Sequence, residues 1–248
     1  MKRATVLFSW FLFLAAFPVG EAHATAAGEA VPAFPDFRIA DSPVPVAPAE
    51  KPEPKTKWVF QAATGTAYQF HSRLIIEQDG EENLDFTAHY KTYPFTSGAP
   101  YYSLRIGAWE GNRAWEFETH HHLVTLVDDP TGKIDGFYVT HGYNLNTLNR
   151  AWLLGGFIWR IGAGVVITHP ENVVRGKKFS GDGFYEGFYL SGVCGQLSLE
   201  KRLSLWGGSF LYVEGKFTAA WAKIPIADGE ATVPNYALHG LAGLGYEF

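Results

Sequence analysis

Three consecutive histidines, His120, His121 and His122, follow two carboxylates in the stretch "WEFETHHHLV" that runs from Trp115 to Val124. Residue types in this order support three chemistries. Imidazoles two positions apart on one strand face have their bases ~7 Å apart, close enough to share a metal ion. Glu118 would then offer a third ligand. A histidine beside a hydroxyl, here Thr119, is the pairing through which a general base activates a nucleophile. Carboxylates and imidazoles on a common face also build a network of ion pairs and hydrogen bonds inside a protein. The choice depends on where each side chain points, and so on the elements that carry them.

Those elements are strands. From Trp58 onward the sequence alternates with a period of two. In "FIWRIGAGVVIT" one face carries Phe157, Trp159, Ile161, Ala163, Val165 and Ile167, while the other includes Arg160 and Thr168. In "LYVEGKFTAAW" Leu211, Val213, Phe217 and Trp221 share a face opposite Glu214, Lys216 and Thr218. Many runs exceed the ~5–6 residues of an ordinary globular strand and match strands that cross a bilayer at a tilt. Aromatic residues make up 16% of the chain. Tyr101, Tyr102, Trp109, Tyr143, Trp206, Tyr236 and Tyr246 are expected at strand ends, where interfacial girdles belong.

At the C-terminus, Tyr236, Leu238, Gly240, Ala242, Leu244, Tyr246 and Phe248 fall on one face. This pattern resembles the C-terminal assembly signal of bacterial outer-membrane β-barrels, with Tyr246 and Phe248 as its aromatic positions. The resemblance implies an architecture and carries no activity. The fold expected is all-β: a single antiparallel, up-and-down transmembrane barrel of about ten strands, with eight as the fallback. Strands are predicted over 58–67, 72–79, 83–95, 101–110, 113–127, 135–147, 155–168, 185–203, 208–223 and 232–248. Short and long connections alternate between them, as periplasmic turns and extracellular loops do.

The flanking segments agree with export. Lys2 and Arg3, the apolar run "VLFSWFLFLAAF" and "AHA" at 22–24 form the pattern of a signal peptide over residues 1–24. Residues 25–57, dense in Pro and Ala, read as a periplasmic linker, and 58–248 as the barrel. The formal charge of −5 disfavours nucleic-acid binding, which needs a concentrated basic surface. The single cysteine, Cys194, excludes an internal disulfide framework.

In such a barrel the face with Trp115, Phe117 and Leu123 meets lipid. Glu116, Glu118, His120 and His122 then face the lumen with Arg105, Arg160, Glu214 and Lys216. Asp85, His89, Lys91, Thr140, Asn144 and His239 are expected to join them. The expected result is a polar plug, in a small outer-membrane protein of a Gram-negative cell with a structural or interaction role. No cofactor and no metal are expected; His120 and His122 are the candidates if a metal is present. The partners implied are outer-membrane lipids, lipopolysaccharide and the barrel assembly machinery.

Two alternatives stay open. One is a narrow pore. The other is a lipid-modifying hydrolase, in which His121 and His141, opposed on the lipid face, would act with Thr119. Outer-membrane lipid A deacylases keep a catalytic histidine and serine on the outward face. This chain has the histidines without a His-x-Ser pair.

Overall fold

Alternating side chains need a wall with two unlike sides, and the computed structural model shows one. It describes residues 55–93, 100–180 and 187–248, apart from the side chains at 140 and 141. The predicted signal peptide and most of the predicted linker lie outside these residues. The strands are β1 (Lys57–Gln69), β2 (Ser72–Gln78), β3 (Leu84–Ala88), β4 (Tyr90–Lys91), β5 (Tyr102–Glu110) and β6 (Arg113–Leu126). There follow β7 (Ile134–Leu154), β8 (Phe157–Val174), β9 (Lys177–Ser180), β10 (Tyr189–Ser204), β11 (Ser209–Ile226) and β12 (Gly229–Glu247).

Eight of them form a closed antiparallel ring in the order β1-β5-β6-β7-β8-β10-β11-β12, and β12 pairs back onto β1 from Val59–Glu247 to Gln69–Ala237. Closure satisfies every edge, which a strand in hydrocarbon requires. The expectation of about ten strands gives way to its fallback of eight. Of the segments predicted as strands at 72–79 and 83–95, β2 and β3 form a hairpin outside the ring and β4 pairs with the end of β6; residues 94 and 95 lie outside the described residues. The hairpin pairs with the tip of β12 through Ile75–Thr232 to Gln78–Gly229.

Three further boundaries move for one reason: the strands are longer than a membrane crossing needs. The stretch left between predicted strands at 148–154 belongs to β7, and the turn is Gly155 and Gly156, both with positive φ. Residues 169–174 and 177–180, predicted as loop, pair as the end of β8 with β9. The connection left between predicted strands at 224–231 is the tip of a hairpin in which Ile226 opposes Gly229. The barrel therefore has a short-turn end, where Lys57 and Glu247 form an ion pair at 2.6 Å. Its opposite, long-loop end extends as paired sheet.

The two sides of the wall are inverted relative to a water-soluble protein. Phe60, Ile106, Trp115, Phe117, Trp159, Ile161, Leu197 and Leu238 are exposed on the outside. Charged residues are buried within. A contiguous apolar belt of this kind on a closed barrel is a lipid-facing surface.

Candidate functional site

The interior is stacked in layers, each set by strand parity. Nearest the short-turn end, Val59, Trp109, Ala114, Ala151, Ile158, Phe210 and Tyr212 pack as an apolar floor. Arg202 lies over the rings of Phe210 and Trp109, at 4.3 and 5.2 Å from their centroids.

Above the floor sits an ionic layer. Arg105 on β5 reaches Glu118 at 3.0 Å, Glu200 at 3.1 Å and Glu214 at 2.8 Å. Arg160 on β8 holds Glu116 at 2.5 Å and Glu200 at 2.9 Å. Lys216 pairs with Glu118, and Arg202 with Glu200. Gln61, Asn149 and Gln196 fill the remaining hydrogen-bonding positions: Gln61 donates to Glu200 at 2.9 Å, and Gln196 to Glu118 at 2.8 Å. Four carboxylates thus face four cations, so charges that would be prohibitive singly are compensated in place.

The next layer holds the histidines. Tyr101 Oη lies 2.7 Å from His239 Nδ1, and Thr218 Oγ1 lies 2.8 Å from His239 Nε2. His122 Nε2 is 3.3 Å from Asn235, whose amide donates to Gln69 at 2.6 Å. The His120 ring packs edge-on against His239, with centroids 4.6 Å apart. Neither of its nitrogens has a hydrogen-bond partner among the described residues. Among the described residues no three His, Cys, Asp or Glu side chains are arranged to hold a metal ion. The roof is apolar again: Leu74, Ile76, Tyr90, Val124, Phe137, Val139, Tyr143 and Ile224 belong to one buried cluster.

The structure places Arg105, Glu116, Glu118, His120, His122, Arg160, Glu214 and Lys216 together inside the barrel. Glu200, Arg202, Gln61 and Gln196 were not among the sequence candidates. For all but Gln61, which lies on β1, the signal was present in the alternation Gln196, Ser198, Glu200, Arg202 on β10. Tyr101, Trp109 and Tyr143, expected in the girdles, point inward, as do Phe137 and Val139. Trp109 belongs to the apolar floor, Phe137, Val139 and Tyr143 to the apolar roof, and Tyr101 to the histidine layer between them. Asp85 and Lys91 are exposed on the external segments, His89 is half-buried there, and Asn144 is half-buried on the outward side of β7.

The outward histidines do not form the expected pair. Between Val139 and Tyr143, β7 carries two more residues than either neighbour, so His121 opposes Asn144 rather than His141. The His141 side chain lies outside the described residues. His121 is itself covered, 5% exposed, with Tyr102 stacked on it at 4.8 Å and 7°. A Cβ on Gly142 would stand 2.4 Å from its Cδ2. Thr119 is half-buried between Leu104 and Asn146. Tyr246 and Phe248 are exposed on the outer wall, and Phe248 exchanges backbone hydrogen bonds of 2.9 and 3.0 Å with Trp58 across the closing seam.

An apolar exterior, a closed ring and a compensated ionic interior decide the class. The chain is a membrane-spanning β-barrel of the outer-membrane type. No protein-family model matches it, and no curated protein matches it in sequence. Among solved structures it is similar to Ail, the attachment invasion locus protein of Yersinia pestis, at 9% identity and TM-score 0.36, over 79% of this chain and 99% of that one. It is also similar to the outer membrane protein OprG from Pseudomonas aeruginosa, at 14% identity and TM-score 0.39, over 79% and 97%. The outer membrane protein AlkL in lipid bilayers matches at 13% identity and TM-score 0.40, over 82% and 95%. These likenesses bring no activity with them.

Proposed function

We propose that this barrel is a non-conducting outer-membrane protein with a structural or interaction role. The observation that carries the reading is the stacking inside the barrel, where a charge-compensated layer is enclosed between an apolar floor and an apolar roof. Steady ion flow needs a continuous water path, and each apolar layer interrupts one. The exterior belt is solvated by outer-membrane lipids and lipopolysaccharide. Delivery of the chain by the barrel assembly machinery fits the aromatic pattern ending at Phe248. The paired extensions at the long-loop end form the surface offered to the medium, since long loops of such barrels are extracellular.

The test is electrical. Purified protein reconstituted in planar bilayers is expected to give no steady conductance steps. A stable, large conductance would remove this reading in favour of a pore. The hydrolase reading loses its geometric motive, because His121 is covered by Tyr102 and faces Asn144 across the ladder.

A further inference from the structure

Two histidines lie outside the lumen, on the surface just beyond the barrel rim. β2 and β3 pair with Ser72 opposite Ala88, so the next position along this ladder sets His71 opposite His89. Their ring centroids are 4.6 Å apart, inclined at 66°. Ser72 and Ala88 point inward, 6% and 1% exposed, so parity turns both histidines outward. His71 is exposed and His89 half-buried.

The location is structural as well as chemical. His71 lies on the link from β1 to β2, directly after Phe70, whose amide donates to Tyr236 O at 2.8 Å. His89 lies on the link from β3 to β4, and its carbonyl accepts from Val127 N at 2.9 Å. Each histidine thus stands on one of the two links that join the β2–β3 hairpin to the rest of the barrel. Opposed imidazoles gain little from each other as side chains, and two protonated ones repel.

We propose that His71 and His89 bind one divalent transition-metal ion, with Zn²⁺ as the fitting chemistry, and that the ion clamps the base of the hairpin. Directly opposed residues of an antiparallel pair have Cβ atoms ~4.5–5.5 Å apart, and ordinary side-chain rotation brings a nitrogen of each ring to the ~2.0–2.1 Å that zinc requires. Imidazole suits Zn²⁺, Ni²⁺ and Cu²⁺ over the harder magnesium and calcium. Water completes the coordination on the exposed side. The lumen histidines are poor competitors, since His239 uses both nitrogens and the layers above and below leave no entry path.

The experiment uses the chain purified without a polyhistidine tag, folded in detergent micelles and titrated with Zn²⁺ by calorimetry. The native protein is expected to bind about one equivalent, and His71→Ala and His89→Ala each to weaken binding at least ~10-fold, the scale seen even for loss of an outer-shell partner. Zn²⁺ should also slow proteolysis within the β2–β3 hairpin of the native chain and not of the variants. Both residues are at the surface, and heat-modifiable gel mobility verifies that the variants fold. Absence of Zn²⁺ binding by the native chain overturns the proposal. So does binding that survives either substitution.

Discussion

Arg105 and Glu214, 109 positions apart in the sequence, meet in the middle of the barrel. One guanidinium nitrogen of Arg105 lies 2.9 and 2.8 Å from the two carboxylate oxygens. The same side chain also serves Glu118 and Glu200, so it is the hub of the ionic layer. Replacing it by Met leaves carboxylates buried without their main cation. Arg105→Met is expected to cost roughly 3–5 kcal/mol, read as a lower urea midpoint for unfolding of the refolded barrel. Arg105→Lys keeps the charge but not the planar fork, so it should recover only part of that loss.

Glu118 and His120 stand two positions apart on the same face and should differ sharply in their tolerance of Leu. Glu118 accepts from Ser103 at 2.6 Å, from Gln196 at 2.8 Å, and from Arg105, Asn149 and Lys216. Its removal leaves those donors unsatisfied, and Glu118→Leu should be among the most damaging single changes. His120 makes only ring contacts with its neighbours among the described residues. His120→Leu removes two desolvated nitrogens and breaks no described hydrogen bond, so its stability should stay within about 1 kcal/mol of the native value. Equal losses in parallel denaturation curves would contradict this difference.

Gly142 allows the β7 bulge to close over His121. Its φ of +106° suits glycine, and an added Cβ would collide with the His121 ring. Gly142→Ala should destabilise by roughly 1–3 kcal/mol through backbone strain alone, with the collision added. His121→Ala in that background should relieve the collision with the ring, leaving the strain and the 2.6 Å approach to Asn144 Oδ1. The single His121→Ala variant should leave lipid A and phospholipid profiles unchanged by mass spectrometry. Loss of an acyl chain that depends on His121 would revive the hydrolase.

Asp129 organises the loop between β6 and β7. It accepts from the amides of Thr131 at 2.8 Å and Ile134 at 2.7 Å, and from the Thr131 hydroxyl at 2.6 Å. Partial burial by itself would raise its pKa, but the bonds from Thr131, Ile134 and Lys133 outweigh that and hold the carboxyl below its ordinary range. A pKa depressed on folding contributes stability that is fully present above the unfolded value, ~3.9, and disappears as the pH falls through the folded one. Amide exchange at Thr131 and Ile134 should therefore gain an acid-dependent component below pH ~4. Asp129→Asn should abolish that component.

The sequence made the wall legible because lipid outside and charge inside force strict alternation on β8, β11 and β12. It placed Glu116, Glu118, His120 and His122 on one face for the same reason. Alternation is silent about height along the barrel. Trp109 and Tyr143 read as girdle residues because they stand near strand ends, yet the interior near those ends is itself apolar and takes large rings, while Tyr101 turns inward to bond His239. The His121–His141 pairing failed for a different reason. Two extra residues between Val139 and Tyr143 shift the partner, and nothing in the run "VTHGY" marks that insertion beyond Gly142. The β2–β3 hairpin reads as part of the wall because a strand lying on a rim alternates as a strand within the wall does.

Ring closure by β1 and β12 also has a consequence for timing. Trp58 and Phe248 share two backbone hydrogen bonds across 190 positions, and Gln61 near the start of β1 donates to Glu200 on β10. The ionic layer is therefore complete only when the first and last strands of the ring have met. Until then β1 and β12 are both open edges, and β1 already bears Trp58 and Phe60 on its outer face. Contacts this distant make the search slow and leave the intermediate adhesive. A barrel of this design stays unsealed until β12 reaches β1, and the seam should be the step that commits it.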